Sequence, residues 1–179
     1  QYCTGIRIHE IAHKSIKMFL DHIENFTRLQ TLTILKASSP ETPERESKNN
    51  IENFKYLEKL EKLENLESLE ISINFNTKTT LWNFLNSISL PTSLTNVKLN
   101  FYEIPWHLFP QENFSTNPVY QNFYQKWSNL SNLNSLNLCF YEINQSNSVT
   151  NFEFIAPLPR KIPKLTSLYF ASWSELLLK

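Results

Sequence analysis

The residues with the most obvious chemistry stand near the start of the chain, at His9-Glu10-Ile11-Ala12-His13. On a helix, histidines four positions apart share a face and can both ligate a metal ion. The glutamate between them can then act as general base for a metal-bound water. The surrounding residues carry helical spacing, with Ile8, Ile11, Ala12, Phe19 and Ile23 on one side and Arg7, Glu10, Lys14, Lys17 and Asp21 on the other. The rest of the chain offers little of this kind. Its single glycine, Gly5, rules out a glycine-rich phosphate loop, and no C-x-x-C pair exists for zinc or redox work. Cys139 falls in a segment with strand periodicity, and nothing in the sequence brings His107 to it as a base.

H-E-x-x-H resembles the zincin metallopeptidase signature, which implies His9 and His13 as zinc ligands and Glu10 as the base. The rest of that pattern does not follow. Ile16 and Phe19 stand where the extended form has Gly and His, and nothing around Glu24 marks it as a third ligand. That family also binds peptide on a sheet preceding the motif helix, and only eight residues precede His9. Both histidines fall at the edge of the apolar stripe, where an ordinary helix keeps boundary histidines. The expectation is an amphipathic helix over residues 1–25 that caps or flanks the fold, with no metal, no cofactor and no catalytic site.

The elements that would position any site come from a repeat. Five segments share the spacing L-x-x-L-x-L, allowing other apolar residues. They are Leu29–Leu32–Ile34, Leu66–Leu69–Ile71, Leu94–Val97–Leu99, Leu133–Leu136–Leu138 and Leu165–Leu168–Phe170. Two continue into one tetrapeptide, Phe101-Tyr102-Glu103-Ile104 and Phe140-Tyr141-Glu142-Ile143. Each alternates apolar and polar residues, the period of a strand with one buried face. In the second, Leu69, Ile71, Ile73 and Phe75 oppose Ser68, Glu70, Ser72 and Asn74. Between strands, Leu81–Leu85 and Phe123–Trp127 have the apolar or amphipathic character of short return helices. From Leu57 to Leu69 leucine recurs every third residue, interleaved with Glu and Lys, which suits a helix leading into the next strand. A strand, a crossover and a neighbouring strand in one sheet make a right-handed parallel coil, whose units bury their apolar faces by stacking.

These segments resemble the leucine-rich repeat family, in the loose, long-repeat form seen in single-celled eukaryotes. The resemblance implies an α/β solenoid, with a parallel β-sheet on a concave face and helices or irregular connections on a convex one. It covers about five units over residues 26–173, with a polar, flexible loop at 38–50 and an unfinished segment at 174–179. Three of the four intervals exceed the usual 20 to 29 residues. The family's post-strand Asn or Cys is matched only by Asn74, because Ala37, Tyr102, Tyr141 and Trp173 hold the equivalent positions.

Such a face implies recognition of a protein partner, as an interaction module or scaffold subunit of a larger assembly. One exposed row would read Thr33, Glu70, Lys98, Asn137, Tyr169, with an ion pair between Glu70 and Lys98. A second would read Thr31, Ser68, Asn96, Ser135, Ser167. Tyr102, Tyr141 and Trp173 would line up at the strand ends as an aromatic ridge, either open to a partner or packed under the convex connections to complete the core. Charge does not favour a nucleic-acid partner, since 17 basic residues offset 17 acidic ones; base stacking on the ridge is the route an RNA-associated protein would use. Two cysteines form no disulfide framework, which points to an intracellular, reducing setting such as the cytoplasm. No apolar run reaches the length of a membrane span.

Overall fold

Every strand after the first begins with the same local device. An apolar residue, a two-residue step and a leucine form a turn closed by a backbone hydrogen bond of 2.9 to 3.3 Å. Its donors and acceptors are Leu29 to Phe26, Leu66 to Leu63, Leu94 to Pro91, Leu133 to Leu130 and Leu165 to Ile162. The next two residues then both donate to one carbonyl of the preceding unit, at 2.8 to 3.0 Å. Gln30 and Thr31 share Thr4 O, Glu67 and Ser68 share Gln30 O, and Thr95 and Asn96 share Glu67 O. Asn134 and Ser135 share Thr95 O, and Thr166 and Ser167 share Asn134 O. One carbonyl per unit thus ties each strand to its predecessor before the ladder begins, leaving few backbone groups unpaired where the chain enters the sheet.

The computed structural model describes residues 3–9, 18–37, 52–74, 84–102, 118–142 and 156–174. It contains six strands: β1 (Gly5–His9), β2 (Thr31–Ala37), β3 (Ser68–Asn74), β4 (Asn96–Tyr102), β5 (Ser135–Glu142) and β6 (Ser167–Ser174). They form one all-parallel sheet in the order β1-β2-β3-β4-β5-β6. Sequence order across a parallel sheet requires each connection to return over one face, an arrangement consistent with solenoid-like stacking. The returns are helical turns at 18–21 and 84–87, 3₁₀ segments at Ile23–Asn25 and Glu52–Lys62, α1 (Pro118–Ser128) and α2 (Leu158–Lys161). The segments 38–50 and Leu81–Asn83, and the terminal residues 175–179, lie outside the described residues.

The sequence expects five strands, and β1 is a sixth. The helix expected over 1–25 is replaced at Gly5–His9 by a strand, with Ile6 opposite Leu32 and Ile8 opposite Ile34. Its apolar pair continues the β2 row, and burying it against Leu32 and Ile34 outweighs a local helical preference.

Apolar strand residues and connection residues make one core, in which Leu32, Leu69, Val97 and Leu136 meet Leu20, Phe84, Phe123, Trp127 and Leu158. The Leu57–Leu69 run shows why the second connection is 3₁₀. Leu57, Leu60, Leu63 and Leu66 are all at most 2% exposed. A helix with three residues per turn sets every third side chain on one face. α1 opens on Pro118, a residue type suited to a first helical position, and presents Phe123 and Trp127 to the core with centroids 5.4 Å apart. Prolines at 157, 159 and 163 keep α2 to one turn. Phe101 and Phe140, paired in register, stack tilted at 4.9 Å, and Phe170 follows Phe140 at 5.4 Å.

A polar ladder stands just before the leucine of the last four turns. Asn65 Nδ2 donates to Thr27 O, Ser93 Oγ to Leu66 O and Asn132 Nδ2 to Thr92 O. Lys164 Nζ donates to Asn132 Oδ1. Each bond reaches back one unit, and Asn65, Ser93, Asn132 and Lys164 line a cavity of about 620 Å³ at this edge of the sheet.

Candidate functional site

The polar face of the sheet is the candidate site, and its register follows the expected rows. Arg7, Thr33, Glu70, Lys98, Asn137 and Tyr169 pair in succession from β1 to β6, as do Thr31, Ser68, Asn96, Ser135 and Ser167. Within the first row, Lys98 Nζ lies 2.8 Å from Glu70 Oε1, with the side chains 46% and 23% exposed. Glu70 accepting that hydrogen bond holds the Lys98 ammonium above its ordinary pKa of 10.5, partly opposed by burial. Tyr169 is 50% exposed at the far end of the row, and Asn137 is half-buried beside it.

One row further along the strands, the face is not open. Ser72, Asn100 and Cys139 face the same way as Glu70, Lys98 and Asn137 yet are buried. Asn100 Nδ2 donates to Ser72 Oγ at 2.9 Å and approaches Glu70 Oε1 at 3.4 Å. Asn100 Oδ1 has no hydrogen-bond partner among the described residues. Burial pushes the Cys139 thiol above 9.0, with Lys98 and Tyr141 pulling the other way. Cys139 stands buried within β5, the strand position its alternation expects.

At the strand ends Asn74, Tyr102, Tyr141 and Trp173 align in register. Ala37 does not join them: β2 carries one extra residue after Ile34, which moves Ala37 opposite Ile73. The Tyr102 and Tyr141 rings stack at 4.5 Å with an interplanar angle of 8°, and both residues are half-buried. The expected ridge is therefore a closed stack at these two positions, with ring edges rather than an open slot available. Burial, reinforced by neighbouring Cys139, raises the Tyr141 hydroxyl above its ordinary 10.0.

His9 closes β1, opposite Leu35, and is exposed. The zincin geometry needs a helix from the first histidine onward, and His9 sits on a strand. Glu10 and His13 lie outside the described residues. Among the described residues, no three His, Cys, Asp or Glu side chains gather as a metal set.

Sequence reasoning did not find the pre-leucine ladder or the buried Ser72–Asn100 pair. The ladder had a signal: Asn65-Leu66-Glu67-Ser68-Leu69 and Asn132-Leu133-Asn134-Ser135-Leu136 share four of five residues. The buried pair had none, because alternation tells which face a residue takes and not how deeply that face is covered. No protein-family model, curated protein or solved structure matches the chain.

Proposed function

We propose that the chain is an irregular leucine-rich-repeat array serving as a non-enzymatic interaction module, whose polar sheet face docks a protein partner within a larger intracellular assembly. The register carries this reading. Parallel in-register strands set one residue of each unit beside the next at about 4.8 Å. Apart from Thr33, which the sequence expects on the exposed row but which is buried, the row from Arg7 to Tyr169 presents both charges, an amide and an exposed tyrosine. Such strips supply shape and hydrogen bonding at the polar positions, with affinity concentrated at aromatic anchors. Tyr169 is the anchor best placed here, and Met18 is the other large apolar side chain exposed among the described residues.

Two rival readings have less support. Base stacking on Tyr102, Tyr141 and Trp173 would use a ridge whose two tyrosine rings already cover one face of each other at 4.5 Å, on a chain without net charge. A zinc peptidase would have to bind metal through a strand-borne His9.

The test is retention of partners from a native extract by the wild-type chain and by Asn137→Ala/Tyr169→Ala. Both side chains can be trimmed without touching the core. The expected result is a stoichiometric partner held by the wild type and lost from the variant. Equal retention by the two chains would count against the face as the docking surface.

A further inference from the structure

Asn100 lies at the middle of β4, two residues after Lys98 and two before Tyr102, so the three side chains share the polar face. It is 5% exposed. Its nitrogen is engaged by Ser72 Oγ and Glu70 Oε1, while its buried oxygen Oδ1 receives no donor among the described residues. A buried acceptor without a donor is costly, and an incoming donor removes the cost. Beside it, Glu70 Oε1 is shared between Lys98 and Asn100, while a carboxylate can accept about four hydrogen bonds.

We propose that this cluster is a recognition pocket for a primary carboxamide, the side chain of an asparagine or glutamine on the protein partner. It rests on the docking reading above and gives that surface a chemical specificity. The NH₂ of a carboxamide supplies two donors, one for Asn100 Oδ1 and one for the Glu70 carboxylate. Its carbonyl oxygen accepts from the Lys98 ammonium, which has three hydrogens to give. Other side chains fit worse. A guanidinium has no acceptor for Lys98 and adds a second positive charge beside it. A carboxylate meets Asn100 Oδ1 and Glu70 with lone pairs alone. An aliphatic chain leaves Oδ1 as it is.

Exposure rises from buried Asn100 to half-buried Glu70 and exposed Lys98, so the cluster opens to solvent on the Lys98 side. Asn100 Oδ1 itself is covered, so binding requires the Lys98 stem to shift while its ammonium stays within reach of the incoming carbonyl.

The experiment follows the side-chain amide signals of Asn100 in the ¹⁵N-labelled full chain by NMR. The probes are N-acetyl-glutamine methylamide and the matching arginine and glutamate compounds. The glutamine probe should shift these signals saturably, with the other two binding about tenfold more weakly or worse. Asn100→Leu should abolish the saturable response of the neighbouring Ser72 and Lys98 signals, whereas Ser72→Ala should keep it. Absence of a saturable shift, an equal response to all three probes, or unchanged binding in a folded Asn100→Leu chain would each overturn the pocket. Should Asn100→Leu fail to fold, Lys98→Met replaces it: weakened glutamine binding is expected, and undiminished binding refutes the proposal. Partner retention that survives Asn100→Leu but not Asn137→Ala/Tyr169→Ala would remove this pocket and leave the docking face standing.

Discussion

Lys98 and Glu70, 28 residues apart in sequence, meet at 2.8 Å because β3 and β4 place them directly side by side in a parallel register. The pair is partly exposed, so its contribution is small despite its good geometry. A double-mutant cycle with Glu70→Gln and Lys98→Met should return a coupling of about 0 to 1 kcal/mol in favour of the pair, reduced by salt. A coupling of repulsive sign at low salt would contradict this pairing.

The pre-leucine ladder should matter more than its exposed position suggests. Asn132 donates to Thr92 O at 3.0 Å and accepts from Lys164 Nζ at 2.9 Å, so it ties three successive units. Asn132→Ala should cost about 1 to 2 kcal/mol in chemical denaturation. Lys164→Met should cost clearly less, because it removes only the terminal bond.

Each turn leucine fills the same place in the stack. Leu133 is fully buried, and Leu133→Ala should destabilise by about 2 to 5 kcal/mol through lost burial and the cavity left behind. Leu165, the equivalent residue at the β6 edge, is only half-buried, so Leu165→Ala should cost less. Equal losses at the two sites would contradict this difference in burial.

Alkaline conditions should unfold the chain early. Cys139, Tyr124, Tyr141 and Lys98 are all held above their ordinary values of 9.0, 10.0, 10.0 and 10.5, the first three by burial and Lys98 by Glu70. With folded values raised, the native state holds more protons than the unfolded chain across this window, so stability falls as pH rises beyond 9.0. The Lys98 contribution is intact below 10.5 and is lost as pH climbs through its raised folded value. Urea midpoints should therefore decline as pH rises from about 9 to beyond about 10.5, and Cys139→Ala should flatten the first part of that decline.

Much of this was legible in the residues. The spacing L-x-x-L-x-L set the strand register closely enough to place Glu70 against Lys98 and to align Tyr102, Tyr141 and Trp173. β1 was hidden because Cys3 stands where the other units have leucine. In addition, Ile8, Ile11 and Ala12 carry a helical period that competes with the two-residue period of Ile6 and Ile8. The leucines from 57 to 66 announced a helix, and their spacing of three distinguishes 3₁₀ from α only when that spacing is taken literally. The burial of Asn100 was not legible, since depth depends on neighbours that strand alternation does not name.

The most direct measurement is photo-cross-linking from single positions in a native extract. A cross-linking amino acid would stand at Asn137 or Tyr169 on the polar face, or at Gln125 or Asn129 on the exposed side of the α1 connection. Docking through the sheet face predicts one shared partner cross-linked from the first two positions and not from the last two. Cross-links from Gln125 and Asn129 alone, or from none of the four, would contradict it.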